Sequence, residues 1–139
     1  MAHILIIDDD EILTDLLKDH LTQAGHEVTT AGLSEEGLRK AIEHQPDLIM
    51  LDLMLPDGTG YQTCGKLRQI WKTRSVPIIM MSSSARLASQ HSIGRMMGVN
   101  AYMMKPLNLI ETGDCVNALL NSTLPAERLP APQNEQEVA

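Results

Sequence analysis

Phenylalanine is absent from this 139-residue chain, and only three aromatic residues (Tyr61, Trp71 and Tyr102) stand in its place. That is too few for the stacking platform on which single-stranded nucleic acid is held, so direct nucleic-acid binding of that kind is not expected. The two cysteines, Cys64 and Cys115, fit no metal-binding spacing; in a reducing compartment they are expected to be free thiols. The five histidines (His3, His20, His26, His44, His91) show no ligand spacing either and are expected at the surface. No apolar run approaches the ~18 residues of a membrane span, and Met1-Ala2-His3 lacks the basic-then-apolar pattern of a signal peptide, so the chain reads as cytoplasmic with no membrane contact. Acidic residues are missing altogether from 58–110, a stretch with seven bases, whereas residues 1–57 hold thirteen acids against three bases. Such asymmetry is either a functional field or, once the chain folds and interleaves the blocks, a mild dipole. A hydrophobic fraction of 43% with 21% charged residues excludes wholesale disorder. A chain of this length buries roughly two-thirds of its unfolded surface and needs no staple.

What is present is an alternation. Short apolar runs lie at Ile4-Leu5-Ile6-Ile7, Val28-Thr29-Thr30, Leu48-Ile49-Met50-Leu51, Ile78-Ile79-Met80-Met81 and Ala101-Tyr102-Met103. Each is of strand length, and three are apolar throughout, as in strands covered on both faces. Helical spacing separates them. Leu13, Leu16, Leu17, Leu21 and Ala24 form a stripe over residues 10–24. Ser34 is an expected N-cap ahead of Leu38, Ala41 and Ile42, and Tyr61, Cys64, Leu67 and Trp71 form a third stripe. Residues 87–97 give a weaker fourth helix and 108–121 a fifth, with Gly25 and Gly98 where C-terminal caps belong. Five β-α units imply an α/β fold with a parallel sheet, and right-handed crossovers put helices on both faces. The pattern fails after Asn121. Residues 1–121 are therefore expected to form one domain, and the Pro-punctuated stretch 122–139 a flexible tail or linker.

In an open parallel sheet, chemistry gathers beyond the carboxyl ends of the strands. The first run is followed by Asp8, Asp9, Asp10 and Glu11, and the third ends in Asp52. Ser82-Ser83-Ser84 follows the fourth run, and Lys105-Pro106 the fifth. Carboxylates converging from two strands repel, and a hard divalent cation relieves the repulsion; Mg²⁺ typically takes one or two carboxylates plus water and phosphate. Acids, a hydroxyl and a lysine together suit a phosphoryl group, whose oxygens the cation and Lys105 would neutralise. Carboxylates form aspartyl-phosphates, which makes Asp52 a candidate nucleophile.

The stretches His3–Glu11, Pro46–Gly58, Val76–Ser82 and Ala101–Pro106 together resemble the receiver domains of two-component response regulators, and the likeness covers about residues 3–121. The resemblance implies a flavodoxin-like fold: a five-stranded parallel sheet in the order 2-1-3-4-5, the order found in chemotaxis regulators of this kind. It implies that Asp52 is the phosphoacceptor, Asp9 a direct Mg²⁺ ligand, Asp8 a ligand mainly through water, and the backbone carbonyl of Met54 a further ligand. Ser82 matches the switch hydroxyl, Lys105 the phosphate-binding lysine and Tyr102 the aromatic switch. The implied phosphoryl donor is a phosphohistidine on a sensor histidine kinase or phosphotransfer protein. The domain would catalyse its own phosphorylation and slow dephosphorylation. Its output would be a change in the face made by the fourth helix, fifth strand and fifth helix, offered to a downstream partner.

Several residues carry other expectations. Asp10 and Glu11 suit the first helix's N-terminus, and Asp57 shapes the Pro56-Asp57-Gly58 turn. Met96, Met97, Met103 and Met104 are expected mainly to pack, with any left outside serving an adaptable partner face. An additional residue between Pro77 and Lys105, relative to the family pattern, leaves Ser83 as an alternative to Ser82. The fourth helix, with Ser89, Gln90, Ser92 and Gly94, should be marginal, and Thr112-Gly113 should weaken packing near the start of the fifth. Two other functions compete. A haloacid-dehalogenase-like phosphohydrolase would need an Asp two residues after the nucleophile, where this chain has Met54. A pseudo-receiver, binding partners without phosphorylation, is the stronger alternative, opposed by the intact set of Asp8, Asp9, Asp52, Ser82 and Lys105.

Overall fold

A computed structural model describes residues 1–83 and 96–122. Five strands build the main sheet: β1 (His3–Ile7), β2 (Glu27–Ala31), β3 (Leu48–Asp52), β6 (Ile78–Ser82) and β7 (Ala101–Met104). All neighbours are parallel and the spatial order is β2-β1-β3-β6-β7, the expected 2-1-3-4-5. Between β3 and β6 a small antiparallel hairpin intervenes, β4 (Met54–Leu55) with β5 (Gly58–Thr59). The helices are α1 (Glu11–Gln23), α2 (Ser34–His44), α3 (Gly60–Gln69) and α4 (Leu109–Ser122), the last being the fifth helical pattern of the sequence. The fourth pattern, with Arg86, Ser89, Gln90, His91, Ser92, Gly94 and Arg95, lies in 84–95 outside the described residues, as does most of the 122–139 tail.

The continuous apolar runs have a direct cause: successive strand side chains alternate faces, and both faces are covered. Ile4, Ile6, Leu48, Met50, Ile79 and Met81 join Leu17, Leu21 and Val116 in a core under α1 and α4. Leu5, Ile7, Ile49, Leu51, Ile78 and Met80 join Ala41, Cys64 and Leu67 in a second core under α2 and α3. Each fully buried Ile, Leu or Met contributes on the order of 1.5–3 kcal/mol, so β1, β3 and β6 are the most strongly held elements.

Four local expectations change. The α1 stripe is narrower than its spacing suggested: Leu17 and Leu21 are buried, but Leu16 is 49% exposed and Ile12 84%. Helix α3 stops at Gln69 because Ile70 is extended, so Trp71 lies beyond it. Ser34 is the first residue of α2 rather than its cap; Leu33 holds the cap position and makes no side-chain cap bond. His3 and His26 are only partly exposed, His3 Nε2 lying 2.7 Å from Thr29 Oγ1 and His26 Nδ1 accepting from Ala2 N at 3.3 Å. Elsewhere the expectations hold. Asp10 caps α1 by accepting from Ile12 N and Leu13 N, and Gly25 takes a φ of 95° just past α1; Gly98 also takes a positive φ, 91°, but most of the helix it was expected to cap lies outside the described residues. Cys64 and Cys115 are free thiols. The methionines divide, Met97 and Met103 packing on the two cores while Met96 and Met104 are exposed. Thr112 is fully buried, its hydroxyl donating to Asn108 O at 2.8 Å, which compensates the weak start of α4.

Candidate functional site

Parallel strands carry Asp8, Asp52, Ser82 and Lys105 to one edge of the sheet. Asp8 follows β1, Asp52 ends β3, Ser82 ends β6 and Lys105 follows β7. Lys105 Nζ stands 2.8 Å from Asp8 Oδ2 and 3.5 Å from Asp52 Oδ2. The lysine is seated by its own backbone, Lys105 N donating to Ser82 O at 2.8 Å across the β6–β7 ladder. Asp8 is buried and its Oδ1 accepts from Asp10 N at 2.9 Å, which turns the chain into α1. Met54 N points at Asp52 Oδ1 at 3.4 Å, a long contact. Asp9 is exposed, yet Asp8, Asp9 and Asp52 each offer one carboxylate oxygen within 4.8 Å of the others.

The electrostatics follow from this crowding. Burial, and then the charge of Asp8, push the Asp52 carboxyl up to about 6, against the pull of Lys105 and of the Met54 N–H. Burial works against the Lys105 ammonium, but the hydrogen bond to Asp8 and the charges of Asp52 and Asp8 outweigh it and hold its pKa above the ordinary lysine value. With three carboxylates ionised and one ammonium, the cluster keeps two negative charges unmatched. A divalent cation of oxygen-ligand preference fits that deficit and that donor set.

The hairpin after Asp52 completes the frame. Met54 pairs with Thr59 and Leu55 with Gly58. Met54 N faces Asp52 Oδ1 and Thr59 N donates to Gln62 Oε1, so neither N–H is spent on the ladder. Met54 and Thr59 are therefore the non-hydrogen-bonded pair, and the Met54 carbonyl, which points the same way as its N–H, faces outward on the Asp52 side. Gly60 is a site residue that sequence reasoning passed over: a Cβ there would lie 2.5 Å from Asp52 O and 2.8 Å from Met80 Sδ. Only a glycine lets the start of α3 approach the acceptor strand this closely. The only hint in the sequence is Gly60 following a capping threonine.

Two clefts flank the carboxylates. One of about 400 Å³ is lined by Asp10, Ile12, Leu13, Leu16, Ser83 and Lys105 among others, and one of about 390 Å³ includes Asp8, Asp9, Glu36, Lys40 and Pro56. Ser82 is buried and directly follows Met81, the ladder partner of Asp52, whereas Ser83 is exposed on the wall of the first cleft. Tyr102 is not among the carboxylates; it is half-buried against the α2–α3 core, opposite Met80 in the ladder.

Comparison with known proteins agrees with this fold. The family model described as the response regulator receiver domain matches residues 4–116. The DNA-binding dual master transcriptional regulator RpaA of Synechocystis sp. is 36% identical over 138 residues, 99% of this chain and 56% of that protein. The alkaline phosphatase synthesis transcriptional regulatory protein PhoP of Bacillus subtilis is 36% identical over 134 residues, 96% of this chain and 53% of that protein. The chain thus spans about half the length of the curated relatives it matches. Among solved structures, a CheY-like response regulator receiver domain protein of Methanospirillum hungatei superposes with a TM-score of 0.82 at 30% identity, covering 88% of this chain and 95% of that one. A flavodoxin-like sheet with acids and a lysine at its carboxyl edge, matched by sequence and by structure over most of the chain, belongs to the receiver domains of two-component response regulators.

Proposed function

We propose that Asp52 accepts a phosphoryl group from the phosphohistidine of a sensor histidine kinase or phosphotransfer protein. The observation that carries this reading is the meeting of Asp8, Asp9 and Asp52 within 4.8 Å, with Lys105 Nζ on two of them. In this reading a carboxylate oxygen of Asp52 attacks phosphorus, the P–N bond breaks, and the imidazole keeps the electron pair. Mg²⁺, held by Asp9, Asp52 and the Met54 carbonyl, and by Asp8 mainly through water, would neutralise phosphoryl oxygens. Lys105 supplies the second positive charge from the β7 side, offsetting the repulsion between Asp8 and Asp52. Burial of Asp52 excludes bulk water, which favours transfer over rapid hydrolysis; slow self-dephosphorylation returns the switch to rest.

The hydroxyl that follows the phosphoryl group is Ser82. Strand alternation puts Ser82 on the same sheet face as Met80 and Tyr102, and Ser83 on the other. Movement of Ser82 toward the phosphoryl oxygens would open room for Tyr102 to turn inward, changing the face that carries β7, α4 and Met96-Met97. That face would then engage a downstream partner or effector, in the cytoplasm. Residues 1–121 act as the switch and 122–139 as its tail or linker. The transcriptional roles named for the relatives belong to proteins about twice as long, and direct nucleic-acid binding is not assigned to this domain. No helix among the described residues is long and apolar enough to cross a membrane.

Incubation with a small acyl phosphate and Mg²⁺ tests the reading: one phosphoryl group should be added to the wild type and none to Asp52→Asn. Equal labelling of that variant sinks the acceptor assignment. A folded wild type that stays unlabelled while still binding a partner would instead favour the pseudo-receiver.

A further inference from the structure

Asp57 suits a turn by residue type, and it sits at the tip of the two-residue loop joining β4 to β5. Its carboxylate, however, reaches away from that turn. Asp57 Oδ1 accepts from Ser34 N at 2.7 Å and Oδ2 from Glu35 N at 3.0 Å. It therefore caps the first turn of α2 from 23 residues away, in place of the side-chain cap that Leu33 does not provide. A carboxylate at a helix N-terminus meets unpaired N–H groups and the positive end of the helix dipole. The Glu35 and Ser34 N–H groups accordingly hold the Asp57 carboxyl below the ordinary range.

The clasp is one of several pins on a short piece of backbone. At its start, Leu53 N donates to Met81 O at 2.8 Å and Gly60 N to Leu53 O at 2.7 Å. At its end, Thr59 caps α3 in a reciprocal box with Gln62, and Thr63 Oγ1 donates to Thr59 O at 3.2 Å. Ser34 Oγ and Thr63 Oγ1 share a buried hydrogen bond between α2 and α3 that involves no atom of the hairpin itself. The tip itself is anchored to α2 by Asp57. Met54 lies between these anchors, beside Asp52, with its carbonyl facing outward.

We propose that Asp57 is a positioning residue for the divalent-cation site: by holding the tip of the β4–β5 hairpin on the first turn of α2, it fixes the Met54 carbonyl beside Asp52. This rests on the metal-binding reading given above. A backbone carbonyl cannot be tuned by its own side chain, so its placement depends on what holds the loop. Groups that orient ligands without touching the metal typically carry tenfold or more of the affinity.

The test is Mg²⁺ titration of the full, unphosphorylated chain by calorimetry and by amide shifts, on the wild type, Asp57→Ala, Asp57→Asn and Ser34→Ala. Asp57 is exposed, so its variants should fold. Asp57→Ala should weaken Mg²⁺ binding about tenfold, the low end for such groups, and speed exchange of the Met54 and Gly58 amides in the metal-free chain. Asp57→Asn keeps one acceptor oxygen and should recover part of the affinity. Ser34→Ala loses the bond to Thr63 but keeps its clasped amide, so it should lower thermal stability without changing Mg²⁺ affinity. Wild-type affinity in Asp57→Ala overturns the proposal. So does equal loss in Asp57→Asn, which would assign the effect to charge at a distance, or equal loss in Ser34→Ala, which would assign it to general loosening. A wild type that binds no Mg²⁺ overturns the metal-site reading itself, and the positioning role falls with it.

Discussion

Replacing Asp52 by asparagine should make the metal-free protein more stable. The fold raises the Asp52 carboxyl from 3.8 to about 6, which means that the folded state disfavours the ionised form. Below the unfolded value both states are protonated and the group contributes nothing. Between 3.8 and about 6 the unfolded chain ionises first and stability is lost; above about 6 the full cost is present. Two units at 1.36 kcal/mol each give roughly 3 kcal/mol as a ceiling. The variant also gives up the Asp52–Lys105 contact at 3.5 Å, but Lys105 retains Asp8 at 2.8 Å, so a gain of about 1–3 kcal/mol at alkaline pH is expected. At roughly 4 °C per kcal/mol for a domain of this size, the melting temperature in a chelator should rise by about 4–12 °C. Calorimetry or denaturant melts at about pH 8 and about pH 4.5 provide the check, because the gain must shrink as pH falls through about 6. Saturating Mg²⁺ should also shrink it, since the cation stabilises only the wild-type carboxylate well. A variant no more stable than the wild type at high pH, or a gain independent of pH, would refute the argument from carboxylate crowding.

Three other substitutions probe the frame. Gly60→Ala puts a methyl group 2.5 Å from Asp52 O and 2.8 Å from Met80 Sδ, and should destabilise by about 1–3 kcal/mol while slowing phosphoryl labelling of Asp52; a thermal melt and a labelling time course measure both. Lys105→Met removes the ammonium shared by two buried carboxylates, so the Asp52 titration followed by NMR should move above about 6, and an unmoved midpoint would deny the lysine its electrostatic role. Arg68→Met removes the donors that reach Gly98 O at 2.7 Å, Thr73 O at 3.2 Å, Arg74 O at 3.2 Å and Asn100 Oδ1 at 3.0 Å. It should cost about 2–3 kcal/mol and raise hydrogen exchange at residues 97–100 without changing Mg²⁺ affinity.

The parts of this molecule that were legible in its sequence are those whose cause is local or topological. Ile4–Ile7, Leu48–Leu51 and Ile78–Met81 could be recognised as strands because burial on both faces leaves no polar alternate position. Once five parallel strands are accepted, their carboxyl ends must meet, and so Asp8, Asp52, Ser82 and Lys105 could be assembled without coordinates. In the edge strand β2 only Val28–Thr30 stands out in the sequence, for the opposite reason: half-exposed, it offers a mixed pattern, and pairing with β1 extends the strand to Glu27–Ala31. Leu16 followed the helical spacing yet faces out, because α1 buries a stripe narrower than its apolar content and leaves Ile12 and Leu16 on the wall of the cleft beside Lys105. The turn at Pro56-Asp57-Gly58 was readable from residue type, but where the Asp57 carboxylate ends was not. A side chain at a loop tip has many hydrogen-bonding choices within its own turn, and only the packing of α2 beside the hairpin brings Ser34 N and Glu35 N within reach. The same holds for Gly60, whose lack of a side chain becomes a requirement only when α3 is pressed against the carbonyl of Asp52. Residue type therefore identified the groups that do the chemistry, while the groups that hold them in place depend on contacts across the fold.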